Sequence, residues 1–133
     1  MNLKGFSRHP RYEIEGELKV LARPFGMKFY NFELRAINVS MSGVLVRSSG
    51  KGFIPFDLDG IIICTFDIHA AFFERPIHLT LKVVRAWESN GIQFFGAKMI
   101  HIESHEKAIF ERDIEKLKRL DQVSEDERVN DIL

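Results

Sequence analysis

The sequence predicts an all-β fold, a small six-stranded antiparallel β-barrel followed by one C-terminal α-helix. Three observations lead there. Six successive runs read as strands, with apolar residues at every second position most clearly in the first, fourth and fifth. Gly, Pro, Asn and Asp separate those runs at regular spacing, and from Ser104 the apolar period lengthens to that of a helix. At 133 residues and 45% hydrophobic content, the chain can bury one core without disulfides or a structural metal.

Tyr12, Ile14, Gly16, Leu18 and Val20 alternate with Glu13, Glu15, Glu17 and Lys19, the pattern of a strand with one wet face. Pro24-Phe25-Gly26 supplies turn chemistry before a second run, Met27 to Ile37, whose apolar phase changes between Phe29 and Tyr30 and so predicts a bulge. Gly43 to Arg47 forms a short third strand, ended by the Ser48-Ser49-Gly50-Lys51-Gly52 stretch. An irregular segment with Pro55 and Asp59-Gly60 follows. Ile62, Cys64, Phe66 and Ile68 mark one face of a fourth strand, and Ile77, Leu79, Leu81 and Val83 one face of a fifth. Asn90-Gly91 is the strongest hairpin signal, because both residues accept the positive φ of a type I′ turn. The sixth run, Ile92 to Ile102, changes phase near Phe94-Phe95, which suggests a second bulge where the sheet bends to close. Phe110, Ile114, Leu117 and Leu120 form the apolar stripe of the helix, with Glu103 or Ser104 as its cap and Glu115–Arg119 as an i, i+4 pair. The domain reading is a basic arm at 1–11, barrel and helix at 12–120, and an acidic, loosely held tail at 121–133.

Acidic and basic residues balance at 19 each, so no broad field favours a DNA or RNA polymer or a membrane surface, and any anion site has to be local. The first twelve residues carry Lys4, Arg8 and Arg11 without an acid, whereas the tail carries Asp121, Glu125, Asp126, Glu127 and Asp131 against Arg128. The single cysteine, Cys64, lies inside an apolar strand and fits a reducing, cytoplasmic compartment. Neither a signal-peptide core nor a stretch of membrane-spanning length is present, so membrane insertion is not expected.

Two segments have complementary chemistry. Ser7-Arg8-His9-Pro10-Arg11 brings guanidinium groups, which bind phosphates and guanine edges through planar forks, and Pro10 keeps His9 extended. Asn38-Val39-Ser40-Met41-Ser42-Gly43, between two strands, brings an amide, hydroxyls and a glycine turn. Together they resemble the PilZ domain family, with its RxxxR-type arm followed by (D/N)xSxxG. Asn38, Ser40 and Gly43 match the second element position for position. In the arm, Arg11 matches the second arginine, Ser7 stands where the first is expected, and Arg8 is the adjacent substitute. The likeness extends over roughly residues 6–118, and 90–99 resembles the family's closing hairpin strand.

The resemblance implies a bacterial second-messenger receptor that binds cyclic di-GMP through Arg8, Arg11, Asn38, Ser40 and Gly43, with Ser7 and Ser42 as accessory positions. It implies that the arm orders on binding and that the signal passes to a protein partner. Asn38 would meet a guanine edge or a phosphate, Ser40 would add a hydroxyl, and Gly43 would give positive φ or close approach to the ligand. The rival reading is a degenerate adaptor that works through protein contacts alone, for which Ser7 is the main argument. Without a ligand, Asn38–Gly43 reads as an ordinary Asx- or Ser-type turn.

No catalytic triad order is legible, and a strand-buried cysteine is a poor nucleophile, so a binding module rather than an enzyme is expected, with no cofactor. His101 and His105 stand four apart, yet His101 precedes the helix and a metal site is not expected. His69 and His78 fall on polar strand faces. The phenylalanines of 52–56 and 70–73 are expected as core plugs, and Trp87 as an edge packing residue rather than a base-stacking platform.

Overall fold

In the computed structural model, residues 10–27, 31–50, 52–66 and 76–119 are described, the side chains of 13–17 and 118–119 excepted. The strands are β1 (Tyr12–Pro24), β2 (Phe32–Ser40), β3 (Gly43–Ser48), β4 (Ile61–Phe66), β5 (Ile77–Ser89) and β6 (Ile92–Ile102). They are followed by helix α1 (Ser104–Ile114) and a two-residue strand β7 (Lys118–Arg119). The sheet runs β2-β3-β6-β5-β4-β1-β7 and closes through a second pairing between β1 and β2. Six antiparallel strands thus form a barrel, as the alternating runs predict.

The inward phase of each run fills the core. Leu18, Val20 and Ala22 of β1 meet Leu34, Ala36 and Val39 of β2, Val44 and Val46 of β3, Ile62, Cys64 and Phe66 of β4, and Ile77 to Val83 of β5. Phe56 plugs one end, edge-on to Phe32 at 5.6 Å and tilted against Phe95 at 5.3 Å. Its loop is held by Gln93, whose side-chain amide donates to the Ile54 carbonyl at 3.0 Å while its oxygen accepts the Ile54 N–H at 2.7 Å. Phe53 of the same loop is not a plug, being 76% exposed. Asn90 and Gly91 both take positive φ, +53° and +80°, as the hairpin signal requires. Asp59, at φ +66°, turns the chain into β4.

The bulge expected near Phe94-Phe95 lies elsewhere, and the one expected between Phe29 and Tyr30 falls outside the described residues. Phe29 and Tyr30, His69, Ile68, Ala70–Phe73, Leu120 and the tail fall outside the described residues. Phe94 and Phe95 keep an unbroken register, pairing with Arg47 and Val46 of β3 and with Trp87 and Ala86 of β5. Their apolar neighbours reflect two populated faces. Phe95 is buried inside, and Phe94 stacks outside on Trp87 at 5.2 Å. Register shifts occur instead between Glu13 and Leu18, Ala36 and Asn38, Thr80 and Leu81, and Val83 and Arg85.

The helix is shorter than its apolar stripe. It ends at Ile114, and Leu117 is buried from the following turn, where Lys116 and Leu117 N–H groups donate to Asp113 and Ile114 carbonyls. The chain turns there to lay Lys118 and Arg119 against Glu13 and Tyr12, so Glu115 and Arg119 are not a helical pair. Glu103 is the N-cap by position, but no side-chain hydrogen bond caps the helix. Its backbone carbonyl accepts from Glu106 and Lys107, and its carboxylate contacts His101 Nε2 at 3.2 Å. Glu106 ties α1 to the barrel, accepting the His78 backbone N–H at 2.6 Å and contacting His78 Nδ1 at 3.1 Å. Phe110 completes the dock against Phe66 at 5.9 Å.

Candidate functional site

The Asn38–Gly43 segment is the end of β2, a two-residue turn and the start of β3. In antiparallel pairing, directly opposed residues place their side chains on one face of the sheet. Val39 opposes Val44, and Val44 opposes Ala97, and all three are buried inside. The intervening rows therefore face outward. One outer row is Ser40, Gly43, Lys98 and Lys82, and the next is Asn38, Leu45, Gly96 and Arg85. A third holds Arg47, Phe94 and Trp87, with the Arg85 guanidinium 4.7 Å from the Trp87 ring centroid.

Tyr12 pairs with Val39 and Glu13 with Asn38. Continuing that register by one residue sets Arg11, exposed just before β1, alongside Ser40. The fold therefore brings Arg11, Asn38, Ser40 and Gly43 to one end of the outer face, although Arg11 and Asn38 are far apart in the chain. Ser7 and Arg8 lie outside the described residues.

Local hydrogen bonding gives two of these residues structural duties. The Ser40 hydroxyl accepts the Ser42 and Gly43 backbone N–H groups at 3.0 and 3.2 Å, and lies 3.4 Å from the Gly43 carbonyl. This is the turn-closing role that Ser takes at such loops. Ser42 sends its carbonyl to the Met99 N–H at 2.7 Å, fastening the turn to β6. Gly43 does not have positive φ. It is required by close approach, because an added Cβ would overlap the Ala97 carbonyl oxygen and stand 3.2 Å from Lys98 Cα. Asn38 follows the β2 register shift and is 9% exposed, while Ser40 is 4% exposed. Both side chains are thus largely buried, and the Ser40 hydroxyl sits beneath the turn.

Between these residues and β6 the outer face is low. Gly43 and Gly96 contribute no side chains, and half-buried Leu45 lies between them in the strand pairing. Lys98 is exposed on the far side of Gly43. Alternation marks Lys98 as outward-facing, but its position beside Gly43 depends on β3–β6 pairing between distant segments, which no local signal encodes. Among the described residues no group of three or more His, Cys, Asp and Glu side chains could hold a metal. His101 and His105 face different glutamates, Glu103 at 3.2 Å and Glu106 at 3.7 Å. No described helix is long and apolar enough to cross a membrane.

A closed six-stranded barrel with one C-terminal helix is a PilZ-like fold. Solved structures bear this out at the level of fold. The PilZ domain of YcgR from Escherichia coli, solved with c-di-GMP, superposes with a TM-score of 0.62 at 7% identity, covering 92% of this chain and 96% of that one. The K. pneumonia MrkH–c-di-GMP complex gives 0.60 at 15% identity over 91% of this chain and 53% of that one. The Bacillus subtilis inhibitor of motility MotI/DgrA gives 0.57 at 15% identity over 82% and 50%. The chain thus spans about half the length of MotI/DgrA and of MrkH. No family model and no curated protein matches the sequence.

Proposed function

We propose that this domain is a cyclic di-GMP receptor that binds the nucleotide on the outer face of its barrel and relays the bound state to a protein partner in the bacterial cytoplasm. It is a binding protein rather than an enzyme. The observation that carries this reading is the register that sets Arg11 alongside Ser40 and two pairs along from Asn38, on a fold shared with proteins solved with that ligand. Arg11 is the principal guanidinium, held by its junction with β1, and forks onto a phosphate or the O6/N7 edge of guanine. Asn38 offers donor and acceptor. Ser40 acts from beneath, shaping the turn, and Gly43 keeps β3 and β6 close. Arg8 and the rest of the arm close over the ligand, an ordering step that creates the surface read by the partner.

Calorimetric titration of the full chain with cyclic di-GMP tests this. Saturable binding is expected, and Arg11→Ala should weaken it about ten- to a hundredfold, since a charge-assisted bond contributes roughly 1.5–3 kcal/mol. Unchanged affinity in a folded Arg11→Ala protein would remove Arg11 from the site. The second reading, an adaptor without nucleotide binding, is favoured by the ligand-independent duties of Ser40 and Gly43. It predicts no heat with wild type at all.

A further inference from the structure

We infer that Lys98 is a second cationic wall of the anion site, facing Arg11 across the low floor at Gly43. The inference rests on the cyclic di-GMP reading and adds to it a residue outside the arm and the Asn38–Gly43 segment.

The placement follows from the pairing. Ser40, Gly43 and Lys98 are successive partners on β2, β3 and β6, and one further step past Ser40 is Arg11 on the β1 side. Arg11 and Lys98 are thus three strand spacings apart, about 14 Å between backbones at the usual inter-strand distance. Between them stand Ser40, folded under its turn, and Gly43, which has no side chain. The missing Cβ has a specific consequence, since it lets β6 approach until Lys98 Cα is 3.2 Å from where that Cβ would be. The lysine therefore rises directly at the edge of the turn.

Its neighbours separate Lys98 from the other cations of this face. Lys82, the next residue along the row, has Asp59 at 3.6 Å. Arg85 is drawn over Trp87, and Arg47 donates to the Ser48 carbonyl at 2.9 Å. Lys98 is exposed and sits in a strand paired on both sides, so its backbone is already ordered before an anion arrives. A compact dianionic dinucleotide, with its two phosphates on one ring, suits two cations that face each other across a shallow gap. Lys98 thereby supplies charge that Ser7 does not provide on the arm, and does so from a rigid strand.

The test is titration of the full chain with cyclic di-GMP, for wild type, Lys98→Ala, Lys98→Arg and Lys82→Ala, each at low and high salt. Lys98→Ala should bind about threefold to tenfold more weakly at low salt, and the gap should narrow at high salt as screening removes the lost attraction. Lys98→Arg should stay within about twofold of wild type, and Lys82→Ala should match it, because both leave the proposed contact in place. Melting temperatures within error of wild type for all variants would show that the loss is not one of folding. Wild-type binding with an equally tight Lys98→Ala, or an equal loss in Lys82→Ala, would overturn the Lys98 assignment and leave the receptor reading standing. Absence of wild-type binding would overturn the receptor reading itself.

Discussion

Gly43 and Cys64 are each set by packing, and each can be tested without any ligand. A methyl group at residue 43 would overlap the Ala97 carbonyl, so Gly43→Ala has to push β3 and β6 apart. Overpacking of this kind costs about 1–3 kcal/mol, and thermal or urea denaturation should show that loss with or without nucleotide. A glycine needed only for the ligand would leave the melting temperature unchanged. Cys64 is fully buried, and desolvation pushes its thiol up to about 12. In the unfolded chain a cysteine ionises near about 8.5. Between those values the unfolded state sheds a proton that the native state keeps, so the contribution is intact below about pH 8.5 and falls as pH rises toward 12, by about 1.4 kcal/mol per pH unit. Cys64→Val should therefore lose less stability than wild type between pH 7.5 and about 10 in denaturant melts. Parallel losses would show that Cys64 contributes nothing to the alkaline slope. The residue types at Asn38, Ser40 and Gly43 were legible in the sequence. The turn role of Ser40 was legible as well, but the packing duty of Gly43 was not, because its close neighbours are contributed by β6, more than fifty positions along the chain.

At the scale of elements, α1 is held by one polar latch and one apolar dock. The Glu106 carboxylate receives the His78 N–H at 2.6 Å in a largely buried setting. Glu106→Ala leaves that amide without its acceptor and should cost about 1.5–3 kcal/mol. Hydrogen exchange should localise the change, with faster exchange at the His78 amide and along α1 and little change in β2 or β3. Uniform acceleration would mean that helix and barrel unfold as one unit. Strand existence and face were readable wherever one face is buried, as in Ile62-Cys64-Phe66 and Ile77-Leu79-Leu81-Val83, because alternation is itself the burial pattern. The Asn90-Gly91 hairpin was equally plain, since few residues accept two positive φ angles in succession. Three features were not readable. The phase change at Phe94-Phe95 arises from an outer aromatic stack on Trp87 and mimics a bulge. The helix end is decided by the pairing of Lys118–Arg119 with β1, and a two-residue strand has no periodicity to display. The shift between Val83 and Arg85 falls beside Gly60, whose carbonyl binds the Val83 N–H, a contact between segments rather than within one.

At the scale of the whole molecule, the sheet is closed by β1, which pairs with β2 on one side and with β4 and β7 on the other. Closure leaves no continuous open edge along the barrel wall. It also gathers Arg11, just ahead of the first strand, the β2–β3 turn and Lys98 of β6 onto one outer surface. The seam has a kinetic consequence. Tyr12 meets Arg119, near opposite ends of the chain, so this pairing closes the longest loop in the described fold and carries the largest chain-entropy cost. Barrels rich in such distant contacts fold slowly, and β1 can zip to β2 long before β7 is in reach. The β1–β7 pairing should thus form after the folding barrier has been crossed. Lys118→Pro removes a backbone donor from that two-residue strand and should speed unfolding while leaving the refolding rate almost unchanged in stopped-flow denaturant jumps. Slower refolding would place the seam in the nucleus. On the expected order the barrel assembles from its hairpins and is locked last, where Lys118 and Arg119 meet the start of its first strand.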